Sequence, residues 1–110
     1  MAAPITREEL RTAMEAGTVV VLDTLPASYY EQLHLPGALN LVESDVPTLA
    51  ATLVPDRGTP VVTYCSNTAC NNSKAVAALL ERAGWTDVRT YREGIQDWVG
   101  AGNATEPRAA

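Results

Sequence analysis

Val19-Val20-Val21-Leu22 and Pro60-Val61-Val62-Thr63-Tyr64 are the two segments that most restrict what this chain can fold into. Neither alternates apolar with polar residues and both are rich in β-branched side chains, so each reads as a strand covered on both faces. Strands of that kind belong to parallel sheets, which need helical crossovers between them.

The intervals supply those helices. Thr6-Arg7-Glu8-Glu9 has the form of a capping box, Leu10, Ala13 and Met14 follow at helical spacing, and Gly17 is a stop, which predicts a helix over 6–16. Ser28-Tyr29-Tyr30-Glu31 is a second capping-box candidate for a short helix closed by Leu35-Pro36-Gly37, after which Ala38-Leu39-Asn40-Leu41 forms a short strand. Asp45 is placed to cap a helix through Val46, Leu49 and Leu53, which Pro55 and Asp56-Arg57-Gly58 terminate. Val76, Leu79, Leu80 and Ala83 share a helical face over 73–83, with Gly84 ending it. Val88-Arg89-Thr90-Tyr91 reads as the last strand, and Gly94 to Val99 as a final helical turn or two. Trp85 and Trp98 are core aromatics. The expected architecture is α/β, a central, mostly parallel sheet of about five short strands with helices on both faces. One domain accounts for all 110 residues, its core running over 5–102 and the small, polar segment 103–110 forming a flexible tail.

Charge and composition exclude several functions. Thirteen acidic residues face eight basic ones, a net of -5, and Lys74 is the sole lysine, so no basic patch is available for a nucleic acid. No apolar stretch is long enough for a signal peptide or a membrane span, which makes the cytoplasm the expected compartment and excludes a membrane partner. Two cysteines in such a chain read as free, chemically active thiols. Cys65, Cys70 and the distant His34 form a poor ligand set, so neither a metal nor a cofactor is expected.

Both cysteines lie where the second strand gives way to a helix. In open α/β sheets ligands bind beyond the carboxyl ends of the strands, and Cys65 occupies that position. Ser66, Asn67, Thr68, Ala69, Cys70, Asn71 and Asn72 form a small, polar segment whose backbone N–H groups are expected to cradle an anion, with Asn71, Asn72 and Ser73 capping the next helix. A thiolate is such an anion. Converging amides and the helix dipole are expected to bring the Cys65 pKa down from about 8.5 and to leave its sulfur negative and exposed, without help from a histidine.

These residues resemble the rhodanese family. Val62 to Cys65, the loop, Ser73-Lys74-Ala75-Val76-Ala77-Ala78-Leu79-Leu80, Gly84-Trp85 and Val88 look like the active-site half of that domain, and Glu93-Gly94-Ile95-Gln96-Asp97-Trp98 resembles its closing signature. Upstream, Val21-Leu22-Asp23, Tyr30 and His34-Leu35-Pro36-Gly37-Ala38-Leu39-Asn40 resemble its Asp-x-Arg and His-Ile-Pro-Gly-Ala-x-Asn motifs. The resemblance runs in family order from Ile5 to Gly102. It implies a sulfurtransferase in which Cys65 takes a sulfane sulfur from thiosulfate, 3-mercaptopyruvate or a protein persulfide and passes it to cyanide or a thiol. Cys65 would be catalytic and residues 66–72 would bind the transferred sulfur. Asp23, His34 and Ser73 would brace the site from behind.

Three features depart from the family pattern. The loop is about two residues longer, as insertions in loops commonly are. It lacks the usual glycine and arginine, so no guanidinium is present to clamp an anionic donor. Cys70 is additional, and Leu25 stands where the Asp-x-Arg arginine would be. Related phosphatases need a Cys-x5-Arg loop, which the Asn71-Asn72 pair rules out. Two other readings stand beside the sulfurtransferase: a noncatalytic regulatory module that binds a protein partner, and a thiol switch in which Cys70 resolves an oxidised or persulfidated Cys65 as a disulfide.

Overall fold

The computed structural model describes residues 2–107. Five strands form a single, wholly parallel sheet in the order β1-β5-β4-β2-β3: β1 (Ala3–Pro4), β2 (Val20–Asp23), β3 (Leu39–Asn40), β4 (Val61–Tyr64) and β5 (Val88–Tyr91). Between them run α1 (Arg7–Ala16), α2 (Ala27–Gln32), a 3-10 turn (Glu43–Asp45), α3 (Val46–Leu53) and α4 (Asn72–Arg82), with α5 (Gly94–Gly100) after the last strand. The two uninterrupted apolar runs become β2 and β4, neighbours in register from Val20 opposite Val61 to Asp23 opposite Tyr64.

Successive strand residues point to opposite faces, and each face has its own core. Leu22, Val61 and Val88 pack beneath α3 and α4 with Val76, Leu80 and Trp85. Val21, Val62, Tyr64 and Tyr91 pack on the other face with Leu10 of α1 and Ile95 and Trp98 of α5.

The α1 capping box forms: Glu9 N–H donates to Thr6 Oγ1 and Thr6 N–H to the Glu9 carboxylate. The other caps differ from expectation. Pro26, with φ preset near the helical value and its own N–H absent, starts α2 ahead of Ser28, and no side chain caps that helix. Asp45 already has helical backbone angles at the end of the 3-10 turn, so its carboxylate does not fold back onto the first turn of α3. Likewise Asn71 has helical angles, and no side chain caps α4. The β1 edge strand was not expected; two exposed residues carry no periodic signal, and Pro4 is tolerated there because the edge needs fewer donors.

The tail also departs from expectation over 103–107. Glu106 exchanges two backbone hydrogen bonds with His34, its carboxylate accepts from Gly37 N–H at 2.7 Å, and Ala104 C=O accepts from Trp98 Nε1 at 2.8 Å. These groups hold the segment on the fold. Residues 108–110 of the expected tail, like Met1, lie outside the described residues. Among the described residues no helix is long and apolar enough to cross a membrane.

Candidate active site

β4 ends at Tyr64, whose side chain is fully buried. Its hydroxyl donates to Asp23 Oδ2 at 2.7 Å and accepts from Leu35 N–H at 3.1 Å, while Asp23 Oδ1 accepts from Leu25 N–H at 2.8 Å. Burial pushes the Asp23 carboxyl up against these donors, and burial beside Asp23 keeps the Tyr64 phenol protonated. Thr24 N–H and Oγ1 both donate to the Tyr64 carbonyl. Asp23 and Thr24 therefore lock the end of β2 to the end of β4. His34 stands apart: its Nδ1 meets Tyr30 C=O at 2.7 Å, its ring stacks on Tyr30 at 3.9 Å, and its backbone holds Glu106.

The next residue is Cys65, and its backbone is fixed from the far side. Ile95 N–H donates to Cys65 C=O at 2.9 Å and Gln96 N–H to Ser66 C=O at 3.0 Å, so the first turn of α5 grips the start of the loop. This grip requires Gly94. With φ of 72°, Gly94 occupies the left-handed region, and a Cβ there would lie 2.5 Å from the Cys65 carbonyl oxygen and 2.6 Å from Ser66. In the sequence Gly94 shows only as a glycine opening a helix; the close approach that requires it comes from backbone far away in the chain.

Asn67 organises the middle of the loop. Its Oδ1 accepts from Ala69 N–H at 2.9 Å, its carbonyl accepts from Cys70 N–H at 3.1 Å, and its amide nitrogen donates to Gln96 at 3.2 Å. Thr68 and Ala69 are exposed at the tip. The far end is tied by buried Thr63, whose Oγ1 donates to Ser73 C=O at 2.9 Å. Asn72 reaches from α4 to Thr24 C=O at 3.4 Å.

Cys65 Sγ lies 3.5 Å from Ser73 Oγ and 3.5 Å from the Cys70 carbonyl, to which the thiol donates. Both cysteines are free. The amides of the loop and of the first turn of α4 divide between the two sulfurs. Ser73 N–H faces Cys65; the N–H groups of Asn72 and Ser66, with the Ser66 hydroxyl, face Cys70.

That division corrects the expectation of an exposed, acidified Cys65. The residue is only 1% exposed. Burial, followed by the neighbouring Cys70, pushes its thiol above the ordinary range against the opposing pull of Ser73. Burial also opposes ionisation of Cys70, but hydrogen bonds from the Cys65 thiol, the Asn72 and Ser66 amides and the Ser66 hydroxyl outweigh it and bring that thiol below the ordinary range. Of the two sulfurs, that of Cys70 is the more readily ionised.

Two concavities flank this arrangement differently. A cleft of about 450 Å³ borders the loop at Thr24, Glu43 and Asn72. A larger one, about 530 Å³, lies under α1 between Ile5, Ala13 and Val62, and none of the loop residues lines it.

The family model for the rhodanese-like domain matches residues 6–101. The chain belongs to the rhodanese-like family. Among curated proteins, an HTH-type transcriptional regulator of Mycobacterium tuberculosis is 33% identical over 98 residues, which cover 89% of this rhodanese-like chain but only 42% of that protein. A crystal structure of a Bacillus halodurans protein superposes with TM-score 0.85 at 22% identity, covering 96% of this chain and 77% of the other. Thiosulfate sulfurtransferase from Pseudomonas aeruginosa superposes with TM-score 0.80 at 22% identity, covering 99% of this chain and 21% of that one. At such identities the two structures establish the shared fold.

Proposed function

We propose that this rhodanese-like domain transfers sulfane sulfur through a persulfide on Cys65. The observation that carries this reading is the placement of the Cys65 sulfur at the carboxyl end of the central strand, 3.5 Å from Ser73 Oγ at the head of α4. Around it stand amides able to hold a second, negatively charged sulfur. The sulfurtransferase name of one structural neighbour supports the same chemistry.

The reaction starts with the proton on Cys65. Cys65 gives up its proton to water as it attacks, an ionisation that burial opposes and the Ser73 hydroxyl assists. With thiosulfate as donor, the Cys65 sulfur bonds to the outer sulfur, the sulfur–sulfur bond of thiosulfate breaks, and sulfite leaves. The new terminal sulfur carries the negative charge toward the Ser66, Asn72 and Ser73 amides. An acceptor such as cyanide or a thiol then removes it. No guanidinium stands in the loop, so thiosulfate is bound weakly; a protein persulfide or 3-mercaptopyruvate, with other handles, serves equally in this scheme.

Sulfite release from thiosulfate by the reduced chain tests the assignment. One equivalent per chain is expected, abolished by Cys65→Ser; release that survives this substitution and disappears with Cys70→Ser overturns it.

A second reading has its own support. Cys65 is almost wholly buried, and the curated relative is a transcriptional regulator that is more than twice as long as the matching segment. On this reading the domain is a regulatory module that meets a protein partner and turns over no donor. Absence of sulfite release together with slow alkylation of both thiols favours it.

A further inference from the structure

We infer that Cys70 is the resolving thiol of this site: it attacks the Cys65 persulfide, releases the carried sulfur as sulfide and leaves a Cys65–Cys70 disulfide. The inference rests on Cys65 being the residue that loads sulfur. Its own basis is geometric. The two cysteines close a short loop in which the Cys65 sulfur lies 3.5 Å from the Cys70 backbone carbonyl. Asn67 holds the intervening turn through Ala69 and Cys70 N–H groups, which keeps residue 70 folded back over residue 65. Cys70 is also only partly buried, whereas Cys65 is sealed. The amides of Asn72 and Ser66 favour the ionised form of this thiol.

Those amides stabilise Cys70 as the anion that attack requires. Attack can occur at either sulfur of the persulfide, and the leaving group decides between them. Attack on the outer sulfur expels the thiolate of Cys65, which burial disfavours. Attack on Cys65 Sγ expels hydrosulfide, the better leaving group. The steps balance with one proton. Loading releases the Cys65 proton to water. The terminal sulfur of the persulfide takes one proton back, the Cys70 thiolate attacks Cys65 Sγ, the persulfide bond breaks, and the proton departs on hydrosulfide. The sulfane sulfur gains two electrons and the cysteine pair loses two, so no external oxidant is needed. A small-molecule or protein dithiol reductant restores the pair.

The test is anaerobic incubation of the reduced full chain with excess thiosulfate, read by intact mass and by trapped sulfide. The wild-type chain is expected to end two hydrogen masses lighter and to yield one sulfide per chain. Cys70→Ser is expected to gain and keep one sulfur mass and to release no sulfide. A wild-type chain that retains the sulfur mass without releasing sulfide overturns the role of Cys70 while leaving Cys65 loading intact. If Cys70→Ser gains no sulfur and wild type yields neither sulfite nor sulfide, the loading chemistry falls and the resolving step falls with it.

Discussion

At the N-terminus of α5, the amides of Ile95 and Gln96 are bonded to the carbonyls of Cys65 and Ser66; at the N-terminus of α4, the amides of Asn72 and Ser73 face the two cysteine sulfurs. Both helices aim the positive ends of their dipoles at one loop. Only one leaves them available to chemistry. The first helix end is a clamp whose Ile95 and Gln96 donors are engaged with the chain itself, and the second faces the sulfurs. A helix terminus near a reactive residue is thus no guide to reactivity until the destination of its N–H groups is known.

Breaking the clamp is expected to have the largest effect. Gly94→Ala places a Cβ against the Cys65 carbonyl and forces a left-handed residue to carry a side chain, for a loss of roughly 3 kcal/mol in urea unfolding. Sulfite release from thiosulfate should vanish with it, because the loop start moves.

Tyr64→Phe separates support of the strand ends from both helix termini. It removes the donor to buried Asp23 and the acceptor for Leu35 N–H, and is expected to cost about 2 kcal/mol in urea. The order in which the two thiols react should remain unchanged.

The part played by the second helix end is sharpened by Ser73→Ala. Cys65 begins above the ordinary thiol range, so its thiolate fraction is small at neutral pH and sulfur loading should accelerate as pH rises through that elevated value. Removing the Ser73 hydroxyl pushes the thiol further up. The expected result is a loading profile displaced to higher pH and a rate about fivefold lower near neutrality, in line with the loss of one hydrogen bond. An unshifted profile would mean that Ser73 acts on the fold alone.

The smallest expected effect is one of order. Limiting iodoacetamide near neutral pH should label Cys70 ahead of Cys65, as peptide mapping can read, since Cys70 is both the more exposed and the more readily ionised sulfur. Labelling of Cys65 first would reverse the division of amides described above.

Much of the scaffold was legible because it depends on short-range pattern. The β-branched runs gave β2 and β4, Thr6 and Glu9 gave the start of α1, and the helical face of Val76, Leu79 and Leu80 gave α4. The caps of α2, α3 and α4 differ from the sequence pattern for a common reason: a residue that already has helical angles, or a proline that presets them, removes the need for an Asx or Ser side chain to fold back. The docking of residue 106 on His34 was invisible because backbone groups far apart in sequence make it. At the site, the strand end and the two-cysteine loop could be read from the residues. Which sulfur the amides would meet could not, since that depends on the path of the loop through Asn67 and on how deeply Cys65 sinks beneath it.

The Thr63 hydroxyl on the Ser73 carbonyl and the α5 amides on Cys65 and Ser66 anchor the loop at both feet, and the groups that hold those feet lie outside the span from Asn67 to Asn71. That span behaves as an interchangeable cassette. Changes of length or residue type within it leave both anchors in place, so the reactivity of this loop can change without any change of frame.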